Sequence, residues 1–147
     1  MENSIIDNIK WDHDKYEYRI EIPVGNQTFH MSFRETYATM DSVYFSIYMT
    51  LYSKRKHIKE NENKVLTTGR SPWETYVAAR QAFLGLHNEC LRGFNNNYNV
   101  IIYCTWLDNK RRDAYYKLLS RRGFKFGNLM SRKVIMKKYK KGKPVFY

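Results

Sequence analysis

Apolar and polar residues alternate through the first third of the chain. Tyr16, Tyr18, Ile20 and Ile22 interleave with charged residues, the period of a half-buried strand. Pro23-Val24-Gly25-Asn26 is a turn sequence, and Phe29, Met31 and Phe33 then resume the alternation, so the two runs predict a hairpin. No element is predicted for residues 34–41. A third strand follows, with Val43, Phe45, Ile47, Met49 and Leu51 on one face and Tyr44, Tyr48 and Tyr52 on the other. Residues 54–63 are polar and charged, a loop, and 64–67 predict a short fourth strand.

The period changes in the second half. Ser71-Pro72-Trp73-Glu74 combines an N-cap serine, proline at the first helical position and a glutamate that closes a capping box. From there Trp73, Tyr76, Val77, Phe83, Leu84, His87, Cys90, Leu91 and Phe94 keep three-and-four spacing over about five turns. Gly93 and Asn95-Asn96-Asn97 end this helix. Val100-Ile101-Ile102-Tyr103-Cys104 is nearly all apolar, as a strand buried on both faces should be. Asp108 or Asn109 caps a second helix that stops at Gly123, with Tyr115, Leu118 and Leu119 facing inward. Residues 131–139 predict a last strand, and 140–147 a loose basic tail. The expectation is an α+β fold in one domain, residues 1–147. It has a mixed, mainly antiparallel sheet, a long helix after the central strand and a second helix before the last strand.

Composition adds the charge. The 147 residues suit one core, which at this size buries roughly 70% of the unfolded surface. The net charge of +12 is uneven. Residues 1–109 hold 12 Lys/Arg and 13 Asp/Glu, whereas 110–143 hold 14 Lys/Arg and a single acid, Asp113. Such a block points to phosphates (nucleic acid or a nucleotide cofactor) or to an acidic protein. A solvated helix face beside a lysine-protected edge strand would look the same without any partner. Cys90 and Cys104 lie in apolar segments without CxxC spacing and read as buried free thiols. The N-terminus has no signal-peptide pattern and no apolar run is long enough to span a bilayer, so a cytoplasmic protein without a membrane segment is expected.

Candidate chemistry is sparse. His13, His30, His57 and His87 stand apart without ligand spacing, so no metal site is expected. His87 falls on the apolar stripe of the long helix and reads as a hydrogen-bonded core histidine. The junction Val65-Leu66-Thr67-Thr68-Gly69-Arg70-Ser71-Pro72 runs a strand into a helix N-terminus through a glycine turn. Thr68, Gly69, Arg70 and Ser71 would present unpaired N–H groups and a partial positive charge, which suits a phosphate. Ser71 and Glu74 can also satisfy those donors by themselves.

Strand, turn, long helix, buried strand, helix and strand in this order resemble the C-terminal two-thirds of GCN5-related N-acetyltransferases, over about residues 64–139. Asn99-Val-Ile-Ile-Tyr-Cys-Thr-Trp-Leu-Asp-Asn109 and Asp113-Ala-Tyr-Tyr-Lys-Leu-Leu-Ser-Arg-Arg-Gly-Phe124 are similar to that family's strand, asparagine, helix and Gly-Phe ending. The resemblance implies a GNAT-like fold and transfer of an acetyl group from acetyl-CoA to an amine. It implies a pyrophosphate on the N-terminus of the long helix, at Thr68, Gly69, Arg70 and Ser71, with Asn109 and Arg112 meeting coenzyme phosphates. The cofactor arm would pass between two splayed parallel strands, 64–67 and 100–105. The loop departs from the family pattern in having one glycine and a proline. Ser120 stands where the family places its thiolate-protonating tyrosine, so Tyr115 or Tyr116 would substitute. Glu35, Glu60 and Glu62 are the acids near substrate-side loops. The alternative is a non-enzymatic protein gripping nucleic acid or an acidic partner through Arg121, Arg122, Lys137, Lys138, Lys140 and Lys141.

Overall fold

A computed structural model describes residues 8–53 and 72–147. The predicted loop 54–63, strand 64–67 and cap Ser71 lie outside these residues. Among the described residues the fold is α+β, a seven-stranded, mostly antiparallel open sheet with two helices. The elements are β1 (Lys10–Asp12), β2 (Glu17–Val24), β3 (Gln27–Ala38), β4 (Ser42–Ser53), α1 (Pro72–Phe94), β5 (Asn99–Cys104), α2 (Asn109–Leu119), β6 (Lys125–Leu129) and β7 (Arg132–Tyr139). The strand order is β1-β2-β3-β4-β5-β7-β6, and β4–β5 is the one parallel pair among the described residues.

The predicted hairpin is β2–β3, with Gly25 at φ +61 in its turn, a left-handed conformation that suits glycine. β2 starts at Glu17 instead of Tyr16, whose φ of +53 bends the chain out of β1. β4 turns Val43, Phe45, Ile47, Met49 and Leu51 to the core as the alternation requires. β3 continues through the segment 34–41 to Ala38, past a bulge at Thr36 where the register slips between Glu35 and Tyr37. The single predicted last strand is two, because Gly123 at φ +86 ends the second helical segment and Lys125–Leu129 pairs with β7 as a hairpin.

Both helices cover one face of the sheet. α1 buries Ala78, Ala79, Ala82, Phe83, Leu86, His87, Cys90 and Leu91, and α2 buries Tyr115, Leu118 and Leu119 in the same core. The small alanines let α1 sit close to β2 and β3, and burying a side chain such as Phe83 stabilises by about 2–3 kcal/mol. Trp73, expected on the apolar stripe, is instead exposed and stacks on Tyr76. Asp108 caps α2 by accepting from the Arg111 N–H at 2.8 Å. No helix among the described residues packs on the opposite face.

The C-terminal segment is not a loose tail. Asn95 Nδ2 donates to the Lys140 carbonyl at 3.2 Å, and the Lys141 N–H donates to Asn99 Oδ1 at 2.8 Å. Asn88 exchanges two hydrogen bonds with the Tyr147 backbone, at 2.7 and 3.1 Å. His87 is fully buried beneath this segment, donating from Nδ1 to Asn88 and accepting at Nε2 from the Tyr139 hydroxyl at 2.7 Å. It is a core histidine, as its place on the helix predicts.

Candidate functional site

The parallel pair parts company halfway. β4 and β5 are in register from Ser42–Asn99 to Ser46–Tyr103, after which β4 runs on to Ser53 while β5 ends at Cys104. From Ile47 onward that edge of β4 has no strand beside it among the described residues. Among the described residues, the alternate N–H and C=O groups on that edge therefore meet no ladder partner. The gap is a cleft of about 190 Å³, walled by Ile47, Met49, Cys104, Leu107 and Tyr115 and reached by Tyr48 and Thr105 from the other face.

Tyr115 and Tyr116 are separated by the turn of the helix. Tyr115 is 3% exposed and lines the cleft, and its hydroxyl bonds to none of the described residues. Desolvation by burial, reinforced by Cys104, holds its pKa far above the ordinary phenol value, so it keeps its proton at neutral pH. Tyr116 faces outward and stacks on Phe126, ring centroids 4.6 Å apart. It borders a different recess, with Arg112, Asp113 and Lys133.

The start of α2 is already occupied by its own chain. Asp108 caps it, and the Arg111 guanidinium pairs with the same carboxylate. Asn109 is the first residue of α2 and exposed, and Arg112 is 3.0 Å from Asp113. Thr68, Gly69, Arg70 and Ser71, with Glu60 and Glu62, lie outside the described residues. Glu35 pairs with Phe45 in register, on the helix-covered face, within electrostatic reach of Cys90. Burial pushes the Cys104 thiol up to about 12, and Cys90 is raised as well, so neither is a ready nucleophile.

The basic residues do not converge. Lys137 donates to the Arg122 carbonyl at 2.8 Å and to the Tyr147 hydroxyl at 2.9 Å. Arg122 donates to the Leu118 carbonyl at 2.9 Å. Both cations thus serve the fold. Lys138 pairs with Ile101 on the open face, opposite to Lys137, while Arg121, Lys140 and Lys141 are exposed.

The periodicity of the chain did not reveal a second concavity, a groove of about 610 Å³ on the open face. Its walls include Tyr44, Tyr48 and Tyr103, and Tyr48 and Thr105 line both groove and cleft. The outward row Tyr44, Tyr48 and Tyr52 was its one visible sign. Among the described residues no group of His, Cys, Asp and Glu could hold a metal ion, and no helix is long and apolar enough to cross a membrane. Comparison with protein-family models, with curated proteins and with solved structures finds no match to this chain.

Proposed function

We propose that this protein is a GNAT-like N-acyltransferase that moves an acetyl group from acetyl-CoA to an amine. The observation that carries the reading is the cleft between β4 and β5, with the protonated Tyr115 on its wall. Two parallel strands joined through a long helix, with a cleft where their pairing stops, are in keeping with what the family resemblance implies. The strand beside β5 is β4, in place of the expected 64–67.

The residues lining the cleft fit the chemistry of the cofactor's arm. Ile47, Met49 and Leu107 offer apolar walls, and the edge of β4 that no described strand covers offers N–H and C=O groups to the amides of an extended arm. Acetyl-CoA would supply the activated acyl group as a thioester. An N–H on that edge can face an oxygen as negative charge develops on it. Tyr115 holds a proton where a thiolate would leave, and Tyr116, stacked outside the cleft, does not.

A cofactor that binds only the folded chain must raise its melting temperature. Acetyl-CoA should do so, and Tyr115→Phe should keep that shift while lowering kcat by about 10²–10⁴-fold. Tyr116→Phe should change neither. No shift at a large excess of acetyl-CoA, with salt-sensitive retention on generic DNA or RNA, would favour the basic binding protein instead.

A further inference from the structure

The groove on the open face names a class of acceptor, on the assumption that the acyl-transfer reading holds. Three irregularities shape it. The bulge in β3 turns Thr36 so that its hydroxyl lies 2.9 Å from the Tyr103 hydroxyl. The β6–β7 turn places two non-glycine residues, Met130 and Ser131, at φ +50 and +66, and Met130 borders the groove. Left-handed backbone costs such residues roughly 1–2 kcal/mol each and tends to persist where function needs it. The β4–β5 pairing ends beneath the groove, at Ser46 and Tyr103, which opens it toward the cleft.

Its lining is aromatic and carries one kind of charge. Tyr37 and Tyr44 stand 5.6 Å apart between ring centroids, inclined at 59°. Arg132 is the one charged residue among the described residues that line it, and it is exposed without a carboxylate partner among them. Arg34 lies over the Tyr48 ring at 4.7 Å and holds Glu17 at 2.9 Å, so this nearby acid is already paired. No Asp, Glu or His is among the described residues that line it.

That lining suits one kind of amine. An alkylamine arrives as an ammonium ion, which needs a base before it can attack and which Arg132 repels. An aromatic amine is neutral at pH 7 and needs no base to expose its lone pair. Its ring can stack on tyrosine, and an anionic substituent can take a charge-assisted hydrogen bond from Arg132. We infer that the tyrosine-lined groove beside the β4–β5 cleft accepts a planar aromatic primary amine bearing an anionic group. A volume of about 610 Å³ is ample for one ring with its substituents. In the transfer, the amine nitrogen bonds to the acyl carbon as the carbon–sulfur bond breaks. The nitrogen's surplus proton passes to water, and the thiolate takes the Tyr115 proton, which water returns. The products are an aryl amide and a free thiol.

The test uses the whole chain with acetyl-CoA and three amines: 4-aminobenzoate, aniline and n-butylamine, read by thiol release. Calorimetry measures 4-aminobenzoate binding without acetyl-CoA. 4-Aminobenzoate should exceed aniline in kcat/KM by about tenfold, the value of one charge-assisted contact, and n-butylamine should be the poorest of the three. Arg132→Met should remove that tenfold advantage and weaken 4-aminobenzoate binding, lowering kcat/KM about tenfold more for 4-aminobenzoate than for aniline. Preference for n-butylamine, or equal effects of Arg132→Met on aniline and 4-aminobenzoate, would overturn the assignment. If acetyl-CoA shifts the melting temperature but 4-aminobenzoate neither binds nor reacts, the groove inference falls and the transferase reading stands. If acetyl-CoA does not bind, the transferase reading falls; Arg132-dependent binding of 4-aminobenzoate then still supports the groove as an aryl-anion site, and its absence removes both.

Discussion

Under the helices, Phe29, Phe33 and Phe45 are fully buried in one core with Phe83, whereas the opposite face of the same sheet carries Tyr44, Tyr48, Tyr52 and Tyr103. Both faces are aromatic, and they differ by a hydroxyl and a cover. On the covered side the rings pack chiefly on one another, as Phe33 and Phe83 do at 5.8 Å, with Phe83 also meeting His87 and the Arg122 guanidinium. On the open side three of the four rings have a polar or cationic companion: Tyr103 bonds Thr36, Tyr48 carries Arg34, and Tyr52 donates to Glu21, while Tyr44 packs on Tyr37. One face therefore stores stability and the other presents chemistry, and the cleft at the end of β5 is where they communicate.

The contrast breaks most readily by truncation. Phe83→Ala should cost about 3–5 kcal/mol in urea unfolding, while Tyr44→Ala on the open face should cost about 1 kcal/mol or less. Equal losses would mean that the open face is core as well. The two histidines sharpen the contrast next. Burial lowers both pKa values, but His30 has Glu17 and Glu21 to favour its cation, while Lys137 and Arg122 press His87 further down, to about 4. The unfolded chain then binds the proton first. Stability should fall as pH drops from about 6.5 toward about 4 and level off below, by on the order of 3 kcal/mol for His87. His87→Gln should flatten most of that slope in denaturant titrations at each pH, and a slope unchanged by it would assign the effect elsewhere. A smaller loss than those at Phe83 and His87 belongs to an ion pair on the open face. Arg34→Met leaves the buried Glu17 carboxylate unpaired and should cost about 2 kcal/mol, below the value for a fully buried pair because Arg34 is 42% exposed. Adding Glu17→Gln should recover part of it, and a strictly additive double variant would deny the coupling.

Period-two and period-three-and-four patterns carried most of the fold. They place Val43 to Leu51 on one face, the long helix over 72–94, and Asp108 or Asn109 at the head of the second helix, where the structure has Asp108, because each of these depends on neighbours within a turn or a strand. The failures are where structure depends on distant partners. β6 holds Gly127 against Met136, where an added Cβ would lie 2.7 Å from the sulfur, and only that hairpin makes Lys125–Leu129 a strand. The bulge at Thr36 spoiled the alternation that would have revealed the end of β3. The C-terminal segment docks through Asn88, 59 residues away, which no local pattern reports. The inward stripe of Tyr115, Leu118 and Leu119 already set Tyr115 apart from Tyr116, about 100° of helix rotation away, but no local pattern showed the cleft that Tyr115 lines. The groove depends on β3, β4, β5 and the β6–β7 turn together, so only its outward tyrosines showed beforehand.

The single parallel joint also orders assembly in time. β1 to β4 form a meander of neighbouring strands and β6–β7 a tight hairpin, so both close over short stretches of chain. Ser42 and Asn99, which start the β4–β5 joint, are 57 residues apart, and α1 must form between them. Loop entropy makes that closure a late one in folding. The cleft thus sits on the seam between two halves that can each begin to form alone, and a seam closed late is the natural plane along which the native protein would yield first.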